Sequence, residues 1–130
     1  MAVKNLQISN PIIMIQENFI RLFEDAFRKY WDRPAYSNYG EDLTLTYADV
    51  ASKVAKLHLL FDQCQINQGD RIALIGRNNA NWAITYVATV TYGAIIVPIL
   101  QDFNANDVHH ITNHSEARLE RKSVVEGQSV

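Results

Sequence analysis

Residues 69–100, with the sequence GDRIALIGRNNANWAITYVATVTYGAIIVPIL, constrain the fold more than any other part of this chain. No charged side chain occurs between Arg77 and Asp102. Such a segment must be buried, either in lipid or in a parallel sheet with its crossover helix. The choice decides between a membrane protein and a globular α/β domain.

The composition of the apolar run argues against lipid. A membrane-spanning helix needs about 20 mostly apolar residues. Residues 82–100 approach that length, but Gly93 and Pro98 lie in their second half. No Lys/Arg cluster flanks the run to set an orientation across a bilayer. We therefore predict no transmembrane segment.

Three shorter pieces describe the segment better: a strand over 70–75, a helix over 80–92 and a strand over 94–99. The helix is apolar nearly all round, as expected for a helix covered on several sides. Gly93 ends it, and the Ile/Val run that follows is typical of a strand buried on both faces. Together they predict a right-handed βαβ unit.

The residues before this unit predict two helices and a hairpin. An amphipathic helix is expected over 17–31, followed by short strands over 35–39 and 43–45. Thr46 and Asp49 have the spacing of a capping box, which begins a helix that extends to about Cys64. The side chains that this helix buries are predicted to be Val50, Val54, Leu57 and Phe61.

The residues after the unit predict one further helix and a tail. Asn104 or Asn106 is a candidate N-cap for a helix through His114. Residues 119–130 contain three consecutive charged side chains and a polar end, which does not suit a buried strand. We expect a frayed or disordered tail there, or one that is not native to the domain in residues 1–118.

Composition limits the class of protein. At 130 residues the chain suits one domain, and its formal net charge of −2 gives no reason to expect nucleic acid as a partner. The single cysteine, Cys64, cannot form an intramolecular disulfide, which agrees with a reducing compartment. The expected location is the cytoplasm, with peripheral membrane attachment of a longer protein as an alternative.

Candidate binding residues are few. Gly76 follows the first strand of the βαβ unit, where nucleotides bind, but this turn has one glycine instead of three. Arg77 beside it is a candidate phosphate ligand, although solvated or ion-paired arginines are far more common. His110 and His114 stand four residues apart, a metal-ligand spacing that lacks the His-Glu-x-x-His signature. Asp107 or Glu116 is a candidate for a third ligand.

Two further features have plain structural interpretations. Cys64 lies near a helix C-terminus, where the helix dipole disfavours a thiolate, so a half-buried and unreactive thiol is expected. Trp82 and Tyr86 lie one helical turn apart and either stack on a ligand or pack in the core, the second being the more common case. We therefore predict no catalytic, cofactor-binding or metal-binding residue in this chain.

Three segments in order resemble one known family. LTYADV at residues 45–50 resembles its L-T-Y-x-E-L segment, and QGDRIAL at 68–74 resembles its G-D-R-V-A-L segment. YGAIIVPI at 92–99 resembles its A-G-A-x-x-V-P-L segment. The family is that of AMP-forming acyl-CoA synthetases and related adenylate-forming enzymes. NNANW at 78–82 resembles the N-x-x-x-W segment of the long-chain fatty acid branch. The resemblance extends roughly from Phe19 to Arg118.

The resemblance implies an activity for a longer protein. Such enzymes use ATP and Mg²⁺ to convert a carboxylate to an acyl-adenylate, then transfer the acyl group to coenzyme A. Their large N-terminal region consists of α/β subdomains. The segments matched here belong to that scaffold, whereas the phosphate loop, the Mg²⁺ and ribose motifs and the C-terminal lysine of the family have no counterpart in this sequence.

These observations predict the N-terminal part of a long-chain fatty acid–CoA ligase, inactive on its own and with no cofactor bound. Fatty acid, ATP and CoA are the expected partners of the longer protein. The alternative is a non-catalytic interaction module, or one that binds a small acid beside Trp82. A sheet cut from its neighbours leaves open edges and apolar faces, so we also expect self-association.

Overall fold

The computed structural model describes residues 19–123, which belong to two compact units divided between Trp31 and Asp32. In the first unit, helix α1 (Phe19–Lys29) is amphipathic, as predicted. The rings of Phe19 and Phe23 contact edge to face with centroids 5.0 Å apart. Arg28 forms a 2.6 Å ion pair with Glu24 on the polar side. Residues 17 and 18 of the predicted helix lie outside the described residues.

The described part of the second unit combines a hairpin with a parallel sheet. The hairpin strands are antiparallel, and the three other strands are parallel in the order β4-β3-β5. The elements in chain order are β1 (Pro34–Ser37), β2 (Thr44–Thr46), α2 (Tyr47–Gln63), β3 (Arg71–Gly76), α3 (Ala80–Tyr92), β4 (Ile95–Ile99), α4 (Ala105–His114) and β5 (Leu119–Ser123).

The α/β class and the order of the predicted elements are therefore correct, and no predicted bound differs by more than two residues. Gly40 in the hairpin turn has a φ of 78°, a left-handed conformation that favours glycine. Gly93 has a φ of 88° and ends α3 as predicted. A Cβ at Gly93 would lie 3.0 Å from the Cγ of Gln68, so space as well as conformation favours glycine.

Helix α2 begins with the predicted capping box. The Asp49 N–H donates to Thr46 Oγ1 at 3.2 Å, and the Thr46 N–H donates to Asp49 Oδ2 at 2.9 Å. The Thr46 N–H bond first, and then the Thr46 hydroxyl, which donates to Asp49 Oδ2 at 3.0 Å, hold the pKa of the Asp49 carboxyl below its usual 3.8. The helix then buries the four predicted side chains, Val50, Val54, Leu57 and Phe61.

Helix α3 is buried on several sides, as its uniform apolar pattern predicts. Its two buried threonines keep their hydroxyls satisfied within the helix. Thr85 Oγ1 donates to the Asn81 carbonyl and Thr89 Oγ1 to the Thr85 carbonyl, both at 2.8 Å. These i to i−4 bonds allow hydroxyl side chains in the core without an unpaired polar group.

Strand β4 is not buried on both faces, so that prediction is wrong. Ile95 is 48 % exposed and Pro98 is exposed, because β4 pairs with β3 alone among the described strands. The Ile95 N–H donates to the Asp70 carbonyl at 2.8 Å. Bonding direction alternates along a parallel strand, so Ile96 and Pro98 direct their backbone groups outward. A proline at an outward position removes no hydrogen bond between β4 and β3. It also leaves one unpaired N–H fewer at the open edge of the sheet.

The expected frayed tail is wrong for its first five residues. Strand β5 pairs with β3 in parallel, with Leu74 opposite Arg121 and Ile75 opposite Lys122. An edge strand can keep charged side chains hydrated, and Glu120 and Lys122 form a 3.7 Å ion pair. Residues 124–130 of the predicted tail lie outside the described residues.

Helix α4 follows β4 and begins at Asn104, the first of the two predicted caps. Asn104 Oδ1 accepts the Asp107 N–H at 2.9 Å. The crossover through α4 returns the chain past β3 to β5. None of the helices in residues 19–123 is long and apolar enough to cross a bilayer.

We predict that Asp49→Asn weakens the capping box and makes the stability of the domain less sensitive to acid. Because the folded state lowers the pKa of Asp49, the contribution of this carboxylate is complete above the unfolded pKa. It is lost as the pH falls through the lower, folded value. Urea unfolding of both proteins between pH 7 and pH 2 measures this difference.

The two stability curves should converge at the acid end of that range. Thr46→Ala, which removes the cap itself, should cost about 1 kcal/mol at neutral pH. Asp102→Asn, an exposed aspartate in a turn, is the matched control. A gap between wild type and Asp49→Asn that stays constant with pH would contradict the role of the carboxylate.

Candidate functional site

The carboxyl edge of the parallel sheet is the first candidate, because open α/β sheets bind ligands there. Strand β3 ends at Gly76 and β4 at Ile99. Arg77, which follows β3, donates from Nε to Gln101 Oε1 at 2.9 Å. The partner of Arg77 is thus a neutral amide, which differs from both the phosphate ligand and the ion pair that the sequence suggested. The bond ties the two strand ends together.

The N-terminus of α3, which faces this edge, is already capped. Asn79 Oδ1 accepts the Trp82 N–H at 2.9 Å. Asn38, from the hairpin turn, accepts the Ala80 N–H at 2.8 Å. Two donors that a nucleotide phosphate would need are thus bonded to side chains. Together with the bonded Arg77, this arrangement offers no open phosphate cradle among residues 19–123.

Trp82 and Tyr86 do form a stacked pair on α3. Their ring centroids are 5.5 Å apart and the planes differ by 23°. Both side chains are half-buried, so the pair is neither wholly in the core nor an open platform. A planar ligand between the rings would need about twice the ~3.5 Å contact distance. The pair therefore leaves no slot between its two rings.

The histidine pair on α4 lies on one face, as its spacing predicts. The rings of His110 and His114 are parallel within 13° and 6.0 Å apart. Neither Asp107 nor Glu116 completes a ligand set: no group of three His, Cys, Asp or Glu side chains suited to a metal occurs within residues 19–123. Asp107 instead accepts a 2.6 Å bond from the Asn104 amide.

Cys64 is the C-cap of α2, as expected, but its side chain is exposed. The prediction of a half-buried thiol is therefore wrong. The buried stripe of α2 ends at Phe61, one turn earlier, and the chain then turns toward Gln65, which has a positive φ of 57°. The cap position thus lies beyond the edge of the core.

A polar cluster between α2 and α3 is the feature that sequence analysis missed. His58 Nε2 lies 2.9 Å from the Ala88 carbonyl and 3.1 Å from Thr91 Oγ1. A carbonyl only accepts, so Nε2 carries the proton. Thr91 gives its own proton to the Val87 carbonyl at 2.6 Å and accepts from the histidine. His58 therefore joins the two helices.

Tyr92 extends this cluster to the end of α3. Its hydroxyl is 2.6 Å from Asp62 Oδ1 and 2.9 Å from the Ile66 carbonyl. The hydrogen bond to Asp62 is the largest cause that raises the pKa of Tyr92 above its usual 10.0, and partial desolvation of the hydroxyl is the second. Its ring contacts Phe61 edge to face with centroids 5.3 Å apart. The cluster fixes the end of α3, just before the turn into β4.

One signal in the sequence points to His58. It lies four residues after Val54 and three before Phe61, which places it on the margin of the buried stripe of α2. Its partners are 30 and 33 residues away in sequence, so no local pattern identifies them.

Comparison with known proteins assigns the family. The sequence profile described as AMP-binding enzyme matches residues 23–120. Because this match covers most of the chain, the chain belongs to the AMP-binding enzyme family. The resemblance seen in the sequence is confirmed.

Two curated relatives illustrate the range of the family. The chain is 28% identical to surfactin synthase subunit 2 of Bacillus subtilis over 110 residues, which is 85% of this chain and 3% of the relative. It is 27% identical to a long-chain-fatty-acid–CoA ligase of Salmonella typhimurium over 101 residues, 78% of this chain and 18% of the ligase. The chain thus spans less than a fifth of either relative.

The fold also matches solved structures. The N-terminal domain of FACL13 from Mycobacterium tuberculosis, with an inhibitor bound, superposes with a TM-score of 0.74. The match covers 81% of this chain and 26% of that domain at 22% identity. The fold is therefore that of the N-terminal region of adenylate-forming enzymes.

We predict that Tyr92→Phe destabilises the domain at neutral pH, because it removes both bonds of the hydroxyl. The folded state raises the pKa of Tyr92. The hydroxyl therefore contributes fully below the unfolded pKa of 10.0. That contribution is lost as the pH rises through the higher, folded value. Urea unfolding at pH 7 and above pH 10 should show the wild type and the variant converging.

Tyr86→Phe is the matched control on the same helix. The Tyr86 hydroxyl has no hydrogen bond within residues 19–123, so its removal should change stability little. Equal losses for the two variants would show that the Tyr92 bonds are not what joins α2 to α3.

Proposed function

We propose that this chain forms the N-terminal part of an AMP-forming long-chain acyl-CoA synthetase. The observation that supports this most is the family match over residues 23–120, which extends from α1 into β5. In the longer protein, ATP and Mg²⁺ would activate a fatty acid to its adenylate and CoA would accept the acyl group. The described residues would form scaffold for that site.

A fatty acid is favoured as the substrate by two observations. The Salmonella ligase is a relative over 78% of this chain. The NNANW segment at residues 78–82 also resembles the long-chain branch of the family. The proposed location of the longer protein remains the cytoplasm, with peripheral attachment to a membrane as the alternative.

The non-catalytic module is the weaker proposal. It would place a small acid beside Trp82, but the stacked Tyr86 ring already covers one face of the indole. No arginine or lysine is bonded to that pair within the described residues, so the carboxylate of such an acid would lack a partner there.

A chimaera tests the proposed function. Residues 32–118 replace the matching segment of the Salmonella ligase, and fatty-acid-dependent ATP–pyrophosphate exchange is measured. We expect the chimaera to retain exchange and the isolated chain to show none, since its α3 N-terminus and Arg77 are already bonded.

Exchange by the isolated chain would overturn the proposal that it is scaffold. A chimaera that unfolds at the temperature of the parent ligase, yet has lost exchange, would contradict the family role. A chimaera that carries Tyr92→Phe is the control for packing, because it changes no residue proposed to contact substrate.

We also propose that the isolated chain self-associates. Ile95, Leu100 and Phe103, at and after β4, are 48 %, 67 % and 41 % exposed. Light scattering over a concentration series should show association that Leu100→Ser reduces. Leu59→Ser, which alters an equally exposed side chain of α2, should leave it unchanged. A monomer at the highest concentration would contradict this proposal.

A further inference from the structure

A cleft lined by three cations lies on the α2 side of the sheet, beside β5. Its volume is about 180 Å³, and its cations come from two elements, Lys53 and Lys56 on α2 and Arg121 on β5. Asn81 and Thr85 of α3 add polar groups to its wall, and Leu57 and Ile84 add apolar surface. We call this the basic cleft.

Arg121 enters the basic cleft because of the register of β5. It is paired with Leu74 of β3, which is 0 % exposed. Side chains of paired residues point to the same face of a sheet. Arg121 therefore occupies a position that faces the helices. Lys122, the next residue, points to the opposite face and pairs with Glu120 there.

The three cations have no carboxylate partner within ion-pair distance in residues 19–123. Lys53 acts at longer range on Asp49, one turn earlier in the capping box, whose pKa its charge helps to lower. Like charges that line one cleft repel one another, and an anion bound there relieves that repulsion. A doubly charged anion does so more completely than a single carboxylate.

We propose that the basic cleft binds a phosphate group. Lysine and arginine are the usual donors to phosphate oxygens, and the Asn81 amide supplies a neutral donor beside them. The volume equals about six water molecules at ~30 Å³ each, enough for one phosphate. The cleft is small compared with the ~300 Å³ or more of typical drug-sized pockets, so a phosphate group fills it better than a large apolar ligand would.

The proposal is independent of the proposed function, because none of these residues is assigned to the synthetase chemistry. Its test is calorimetric titration of the chain with inorganic phosphate in a low-salt buffer. We expect saturable binding that added NaCl weakens. Arg121→Gln and Lys56→Gln should each lower the affinity about tenfold, the loss typical of one charged hydrogen bond.

Lys122→Gln is the matched control, since it removes the same charge from the neighbouring residue on the opposite face. Its affinity should equal that of the wild type. Thermal unfolding of each variant separates lost binding from lost folding. No saturable binding by the wild type, or an equal loss in Lys122→Gln, would overturn the proposal.

A second ligand distinguishes the source of the phosphate. Phenyl phosphate presents the same dianion with an apolar body that would contact Leu57 and Ile84. Tighter binding of phenyl phosphate than of inorganic phosphate supports a phosphomonoester as the ligand. Equal binding supports free phosphate. Tighter binding of formate than of either would overturn the requirement for a double charge.

Discussion

The burial of β3 on both faces is the constraint on which the larger unit depends. Ile72, Ala73 and Leu74 are consecutive, so they point alternately to the two faces, and all three are 0 % exposed. Burying an Ile or Leu side chain contributes about 1.5–3 kcal/mol. One face is covered by α3, and the right-handed crossover rule places α4 on the other. A sheet with a helix on one face alone would leave Ala73 or its neighbours in water.

This constraint also explains which predictions from sequence succeeded. The helices α2 and α3 follow from periodicity and from caps that operate within a few residues, such as Thr46 with Asp49 and Gly93. Strand β3 follows from its apolar run. The burial of a strand, by contrast, depends on how many neighbours it has in the sheet, and this number is not a local property of the sequence.

The two wrong strand predictions have that common cause. The Ile/Val run of β4 has the composition of a central strand, yet β4 has one described neighbour and leaves Ile95 half exposed. The charged residues of β5 have the composition of a tail, yet a strand at an edge buries little and tolerates them. The His58 cluster was missed for a related reason, because its partners come from another helix.

The position of a residue in the sheet also explains why the carboxyl edge is occupied by internal bonds while the basic cleft beside β5 is open. At the carboxyl edge of the sheet, Arg77 and the first N–H groups of α3 have found partners within the domain, so their capacity to bind a ligand is used for folding. Above β5, the register sets Arg121 toward the helices, where a carboxylate partner is missing among the described residues. An arginine there cannot be buried without one, because desolvation of an unpaired charge is costly. Arg121 is accordingly exposed to solvent, and it lines the cleft instead of filling it.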